Sequence, residues 1–172
     1  MNFSNSANQF KAQANVNRKH EIWLEPESLG EPGFEIPTIN YKYFNGKKYR
    51  FCYASGVFNG GFYANSVSLC TLKSITNIIF VEFKCLKLDV ETKQSIVWRE
   101  SETSFPGECV FIQKPGTTEE DEGVLLSIVL ESDYNKPHFL LILDAKSFTE
   151  IARAEIPRLK GQIPPTIHGI FN

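Results

Sequence analysis

The sequence predicts an all-β chain built from propeller blades, and three observations support that fold class. From Glu21 onward the 172-residue chain reads as short apolar runs separated by Gly, Pro and Asn, which is the punctuation of strands and turns. No stretch has the apolar stripe of a long amphipathic helix. A four-strand pattern occurs twice, and four-stranded antiparallel units repeating at roughly 40 to 50 residues are the signature of propeller blades.

Residues 1–20 are polar, rich in Asn, Gln and Ser, and without strand or helix periodicity they are expected to be a loose N-terminal tail. Residues 21–172 form the β unit. Its strand candidates are Lys48–Val57, Leu86–Val90, Ser95–Arg99, Cys109–Gln113, Val124–Leu130, Phe139–Leu143 and Glu150–Ile156. The first repeat opens at Glu35, passes the turn Asn45-Gly46 and a strand ending at Ser55-Gly56, then runs through Leu88-Asp89-Val90 to Ile96-Val97-Trp98. The second opens at Glu108, passes the acidic turn Glu119-Glu120-Asp121-Glu122-Gly123 and the strand to Leu130, then runs through Leu143-Asp144-Ala145 to Ala152-Arg153-Ala154. Two blades and the start of a third fit the length. In a propeller the first strand of each blade lines the central axis, so Glu35, Glu108 and His168, which stand at blade starts, are expected to converge.

Fifty-four residues separate Glu35 from Asp89, whereas thirty-six separate Glu108 from Asp144. The excess of eighteen is assigned to about 67–85, either a genuine insertion or a retained intron translated in frame, a weakly charged, proline-free and β-prone stretch whose apolar run would favour aggregation if left unpaired.

Charge and cysteine usage narrow the function classes. A net charge of -2 gives no basic field for phosphate backbones, and Lys47-Lys48-Tyr49-Arg50 is too short to act as a polybasic patch, so nucleic acid is not an expected partner. Cys52, Cys70, Cys85 and Cys109 form no Cys-x-x-Cys pair and no zinc-ligand spacing with His; they read as buried free thiols of a reducing compartment. The first residues lack the basic flank and apolar core of a signal peptide, which places a product starting at Met1 in the cytoplasm. The acidic run Glu119–Glu122 lacks the alternating oxygen spacing of a calcium loop and reads as a solvated turn. His20 and His138 read as solvent-facing.

Three motifs give a more specific indication. Phe34-Glu35-Ile36-Pro37-Thr38-Ile39-Asn40-Tyr41, Pro106-Gly107-Glu108-Cys109-Val110-Phe111 and the closing His168-Gly169-Ile170-Phe171 resemble, in that order, the Phe-Glu-Phe-Pro-x-Ile-Asn-Tyr, Pro-Ser-Glu-Pro-x-Phe and terminal His-Gly-x-Phe motifs of the carotenoid cleavage oxygenases. The resemblance runs from about Gly33 to Phe171, apart from the insertion. It implies that the chain is the C-terminal end of a seven-bladed propeller, incomplete here.

The resemblance further implies an Fe(2+)-dependent oxygenase that splits a conjugated double bond of a carotenoid or apocarotenoid with O2 to give aldehyde or ketone products. The family binds iron through four histidines, and His168 stands at the last of these ligand positions. Glu35 and Glu108 stand at the positions of carboxylates that orient the imidazoles from behind, which makes the ligating nitrogen more basic. With one of four expected imidazoles, the chain alone is expected to be inactive. Any peripheral membrane contact would be made by parts of the enzyme outside this chain. The alternatives are a non-catalytic propeller fragment acting at most as a binding module, and the retinoid isomerohydrolase branch of the same family. Cys109 stands where the family favours Pro, and Arg158-Leu159-Lys160-Gly161-Gln162-Ile163-Pro164-Pro165 replaces a shorter approach to the last His.

Overall fold

A computed structural model describes residues 13–16, 21–25, 27–30, 34–58, 82–157 and 169–170. Strands β1 (Gln13–Val16) and β2 (Ile22–Glu25) pair as an antiparallel hairpin, with Val16 opposite Ile22. The strand at Gln13–Val16 falls inside the expected loose tail; pairing with an apolar partner orders a segment whose own composition gives no strand signal.

The first blade is a four-stranded antiparallel meander in the order β3 (Phe34–Thr38), β4 (Phe51–Phe58), β5 (Glu82–Asp89) and β6 (Gln94–Trp98). A single helical turn, α1 (Tyr41–Phe44), links β3 to β4. The second blade contains β7 (Ser104–Pro106), β8 (Val110–Gln113), β9 (Gly123–Glu131), β10 (His138–Asp144) and β11 (Glu150–Ile156). Its order is β11-β10-β9, with β7 and β8 both pairing along the far side of β9. β7 takes Val129–Glu131 and β8 takes Gly123–Leu126, so together they form one edge strand broken in the middle.

The repeat read from the sequence recurs in the backbone. Asp89 Oδ1 accepts the N–H groups of Glu91 and Thr92 at 3.0 and 3.2 Å, and Asp144 Oδ1 accepts those of Lys146 and Ser147 at 3.1 and 2.7 Å. Four residues past each Asp, Lys93 and Phe148 take positive φ, 60° and 59°, and donate their N–H to the Asp carbonyl at 2.8 Å. Asp is the residue type whose short carboxylate closes such a turn on its own backbone.

These carboxylates also link stability to pH. The Arg50 guanidinium beside Asp89 holds that carboxyl well below the usual range, and the Ser147 backbone N–H does the same, to a lesser degree, for Asp144. Groups depressed in the folded state stabilise it above their unfolded pKa, about 3.9 for Asp, and that stabilisation is lost as pH falls toward the folded values. Denaturant unfolding should therefore give similar midpoints at pH 7 and pH 5 and a lower one at pH 3. Asp89→Asn should flatten part of that acid dependence.

Period-two alternation assigns the two faces of β5. Leu86 and Leu88 pack with Leu29, Cys52 and Val90 on one face. Cys85 and Lys87, the alternate positions, turn to the second blade. There Tyr53, Cys85, Cys109, Leu125, Val129, Phe139, Leu141, Leu143, Ala145 and Phe148 form the main core. Tyr53 lies at its centre, stacked on Phe111 and Phe148 at ring distances of 5.6 and 6.4 Å, and its hydroxyl donates to Ala145 O at 3.3 Å.

The acidic run is not a solvated turn. Glu120 Oε1 accepts the N–H groups of Arg50 and Phe51 at 2.6 and 2.5 Å, capping the start of β4. Asp121 pairs with Lys87 Nζ at 2.8 Å, with side chains only 14% and 5% exposed. Lys87 also donates to Lys146 O at 2.8 Å and lies 4.2 Å from the Phe51 ring centroid. The turn thus fastens the second blade to the first. Gly123 closes it, since a Cβ there would lie 2.2 Å from Ile112 O.

The insertion boundary shifts as well. β5 begins at Glu82 and pairs in register through Phe58↔Glu82 and Ser55↔Cys85, so residues 82–85 belong to the blade; 59–81 lie outside the described residues. Residues 58 and 82 are opposite one another, so a short hairpin suffices to join them. Deleting 67–81 should leave the thermal midpoint within a few degrees, whereas deleting 67–85, which removes the buried Cys85, should abolish the folded transition.

Candidate functional site

The edge strand that β7 and β8 share in the second blade breaks at Pro106, which has no N–H to continue the ladder. The chain crosses the gap with its neighbours anchored inward. Gly107 donates its N–H to Ile128 O at 2.9 Å and accepts from Ser127 Oγ at 3.0 Å, and Cys109 is fully buried with its thiol on Ala54 O. Glu108, between these anchors, lines a cleft of ≈ 480 Å³ shared with Thr38–Lys42 of the first blade and with Gly169 and Ile170. Its Oε2 accepts the Gly169 backbone N–H at 2.7 Å. A carboxylate offers about four lone-pair sites, so this bond leaves capacity for a further donor.

The first blade has a matching irregularity. Phe34 and Glu35 pair with Gly56 and Ser55, the register then shifts before Thr38 meets Tyr53, and Ile36 between them takes φ 51°. For a β-branched residue that conformation is strained, on the order of 1–3 kcal/mol. Glu35 itself is exposed and is not among the residues lining the cleft. His168 lies outside the described residues, as do His20 and Cys70. Of the three expected site residues, the structure thus brings Glu108 to the terminal His-Gly-x-Phe motif through Gly169 and places Glu35 on β3, outside the lining of that cleft.

Two residues given no role from sequence shape this region. Asn40, 1% exposed, donates to Gln113 Oε1 and to Glu120 O, while Gln113 Nε2 donates to Thr117 O and Glu119 O at 3.2 and 3.1 Å. This relay fixes the cleft wall to the acidic turn. The signal available was the Ile39-Asn40-Tyr41 motif, in which a small amide follows an apolar residue at a strand end. His138 is half-buried rather than solvent-facing: its Nδ1 accepts the Glu131 N–H at 2.9 Å, which closes the β9–β10 hairpin and requires the ring proton on Nε2. Among the described residues no three His, Cys, Asp or Glu side chains are grouped to hold a metal ion.

The chain matches the family model of the retinal pigment epithelial membrane protein over residues 4–172, and it belongs to that carotenoid oxygenase family. It is 42% identical over 157 residues to a mitochondrial carotenoid-cleaving dioxygenase of Mustela putorius furo, covering 88% of this chain and 25% of that protein. To the beta,beta-carotene 15,15'-dioxygenase of Homo sapiens it is 38% identical over 151 residues, covering 88% of this chain and 23% of the relative. A variant of the Synechocystis apocarotenoid oxygenase superposes with a TM-score of 0.62 at 25% identity, over 84% of this chain and 26% of that one. The cobalt-substituted form of that oxygenase gives 0.61 at 24% identity, over 87% and 27%. The chain spans about a quarter of the length of the curated relatives it matches.

Proposed function

We propose that this chain supplies the C-terminal blades of an iron(II)-dependent oxygenase that cleaves a conjugated double bond of a carotenoid or apocarotenoid with O2. The observation that carries this reading is the Glu108 bond to Gly169, at the break in an edge strand and beside the residue that follows His168 in sequence. A carboxylate so placed suits orientation of the terminal motif, and His168 is the side chain that would hold the metal. Glu35 is the equivalent carboxylate of the preceding blade, available to an imidazole supplied from outside this chain. Iron(II), when bound, supplies the activation of dioxygen. This chain contributes one ligand, an orienting carboxylate and the cleft wall formed by Thr38–Lys42 and Val110–Gln113.

The residues present fit a share of such a site rather than a whole one, because a lone imidazole does not retain iron(II) against water. Taken alone, the chain is therefore read as non-catalytic. The relatives at 38–42% identity are named for carotenoid cleavage, which favours polyene cleavage over the isomerohydrolase branch.

The test is a graft in which this chain replaces the C-terminal quarter of the Mustela putorius furo relative. A polyene bleaching assay should show turnover by the soluble graft and none by the isolated chain. A well-folded graft that bleaches no polyene would overturn the reading.

A further inference from the structure

Two buried thiols lie in one core cluster at the junction of the blades. Cys85 is on β5 of the first blade and Cys109 precedes β8 of the second; both are 0% exposed and belong to the same core cluster. Cys85 is opposite Ser55 in the β4–β5 ladder, and the Cys109 thiol rests on the carbonyl of the adjacent Ala54 at 3.9 Å. Cys85 Sγ contacts Ser127 Oγ at 3.9 Å, and that hydroxyl donates to Gly107 O, two residues before Cys109, at 3.0 Å, so the same serine borders both cysteines. Both are free. The third described cysteine, Cys52, is half-buried and packs with the satellite cluster of Leu86 and Leu88 on the other face of the sheet.

We infer that Cys85 and Cys109 are a disulfide site, a covalent latch between the two blades that closes when a low-molecular-weight disulfide such as oxidised glutathione is the oxidant. In the first step one cysteine sulfur attacks the glutathione disulfide, giving a mixed disulfide and one glutathione thiol. In the second the other cysteine sulfur attacks the mixed disulfide, forming the Cys85–Cys109 bond and releasing the second glutathione thiol. The two cysteines are oxidised by two electrons, one glutathione disulfide is reduced, and the two thiol protons end on the two glutathiones. Burial makes both thiols slow to react while the core is closed, so exchange proceeds on opening or during folding. The shared position in the core acts on the equilibrium. The bond would tie β5 to the segment that carries Glu108, and in a strongly reducing compartment the pair stays as two thiols.

The consequence is measurable by linkage: a bond compatible with the native fold is more stable in the folded chain than in the unfolded one by the factor with which it stabilises folding. The experiment uses the full chain with Cys52→Ser and Cys70→Ser, equilibrated in oxidised and reduced glutathione mixtures in native buffer and in denaturant, then acid-quenched and resolved by mass. The disulfide equilibrium constant should be roughly a hundredfold larger in native buffer. In the unsubstituted chain, peptide mapping should find the 85–109 link as the dominant intramolecular bond. A native-to-denatured ratio below about ten, by the same measure, or dominant links through Cys52 or Cys70, would overturn the inference.

Discussion

Lys87→Ala should destabilise the chain by about 3–5 kcal/mol, because it leaves Asp121 in a desolvated site without its cation. The Lys87 side chain is 5% exposed and that of Asp121 14%, so water can replace little of the lost interaction. The substitution also removes the donor to Lys146 O and the cation beside the Phe51 ring. Lys87→Met with Asp121→Asn removes both charges while keeping volume and should recover most of the loss. Denaturant unfolding of the two variants checks this. A Lys87→Ala cost under about 1 kcal/mol, the range of exposed pairs, would mean that the acidic turn does not fasten the blades.

Glu108 gives the second large effect, read in the graft. Glu108→Gln should lower iron retention and turnover on the order of ten- to a hundredfold, the usual cost of disturbing a partner that orients a metal ligand. Glu108→Ala should cost more, because Gln keeps an acceptor for the Gly169 N–H and Ala does not. Global stability should change little in Glu108→Gln. Equal losses in the two variants would indicate that the carboxylate matters for its charge alone and not for holding Gly169.

The blade pattern was legible because its signals are local. Asp89 and Asp144 close their turns on their own backbone, and the positive φ at Lys93 and Phe148 follows from the same turn. Glu108 stands out in sequence through its motif, and the structure joins it to Gly169. Features set by docking one blade on the other were not. The charge run at Glu119–Glu122 reads as solvated in one dimension, and only the approach of β4 and β5 turns Glu120 and Asp121 inward. Lys87 looks like an exposed strand residue, although its position two residues from Cys85 places it on the core-facing side. The assignment of residues 82–85 to an insertion failed because spacing fixes the length of an insertion but not its ends; strand register fixes those. His138 was misread for a similar reason, since its hydrogen bond is to the strand across the hairpin.

In the proposed function this chain supplies one imidazole, His168, to an oxygenase metal site, and Glu108 orients the motif that carries it through Gly169. Iron content per polypeptide, measured on the anaerobically reconstituted graft and on its His168→Ala variant, tests it most directly. One iron per graft and a loss to background in His168→Ala, with both proteins showing the same thermal midpoint in the absence of iron, is the predicted result. Full iron occupancy retained by the His168→Ala graft would contradict it.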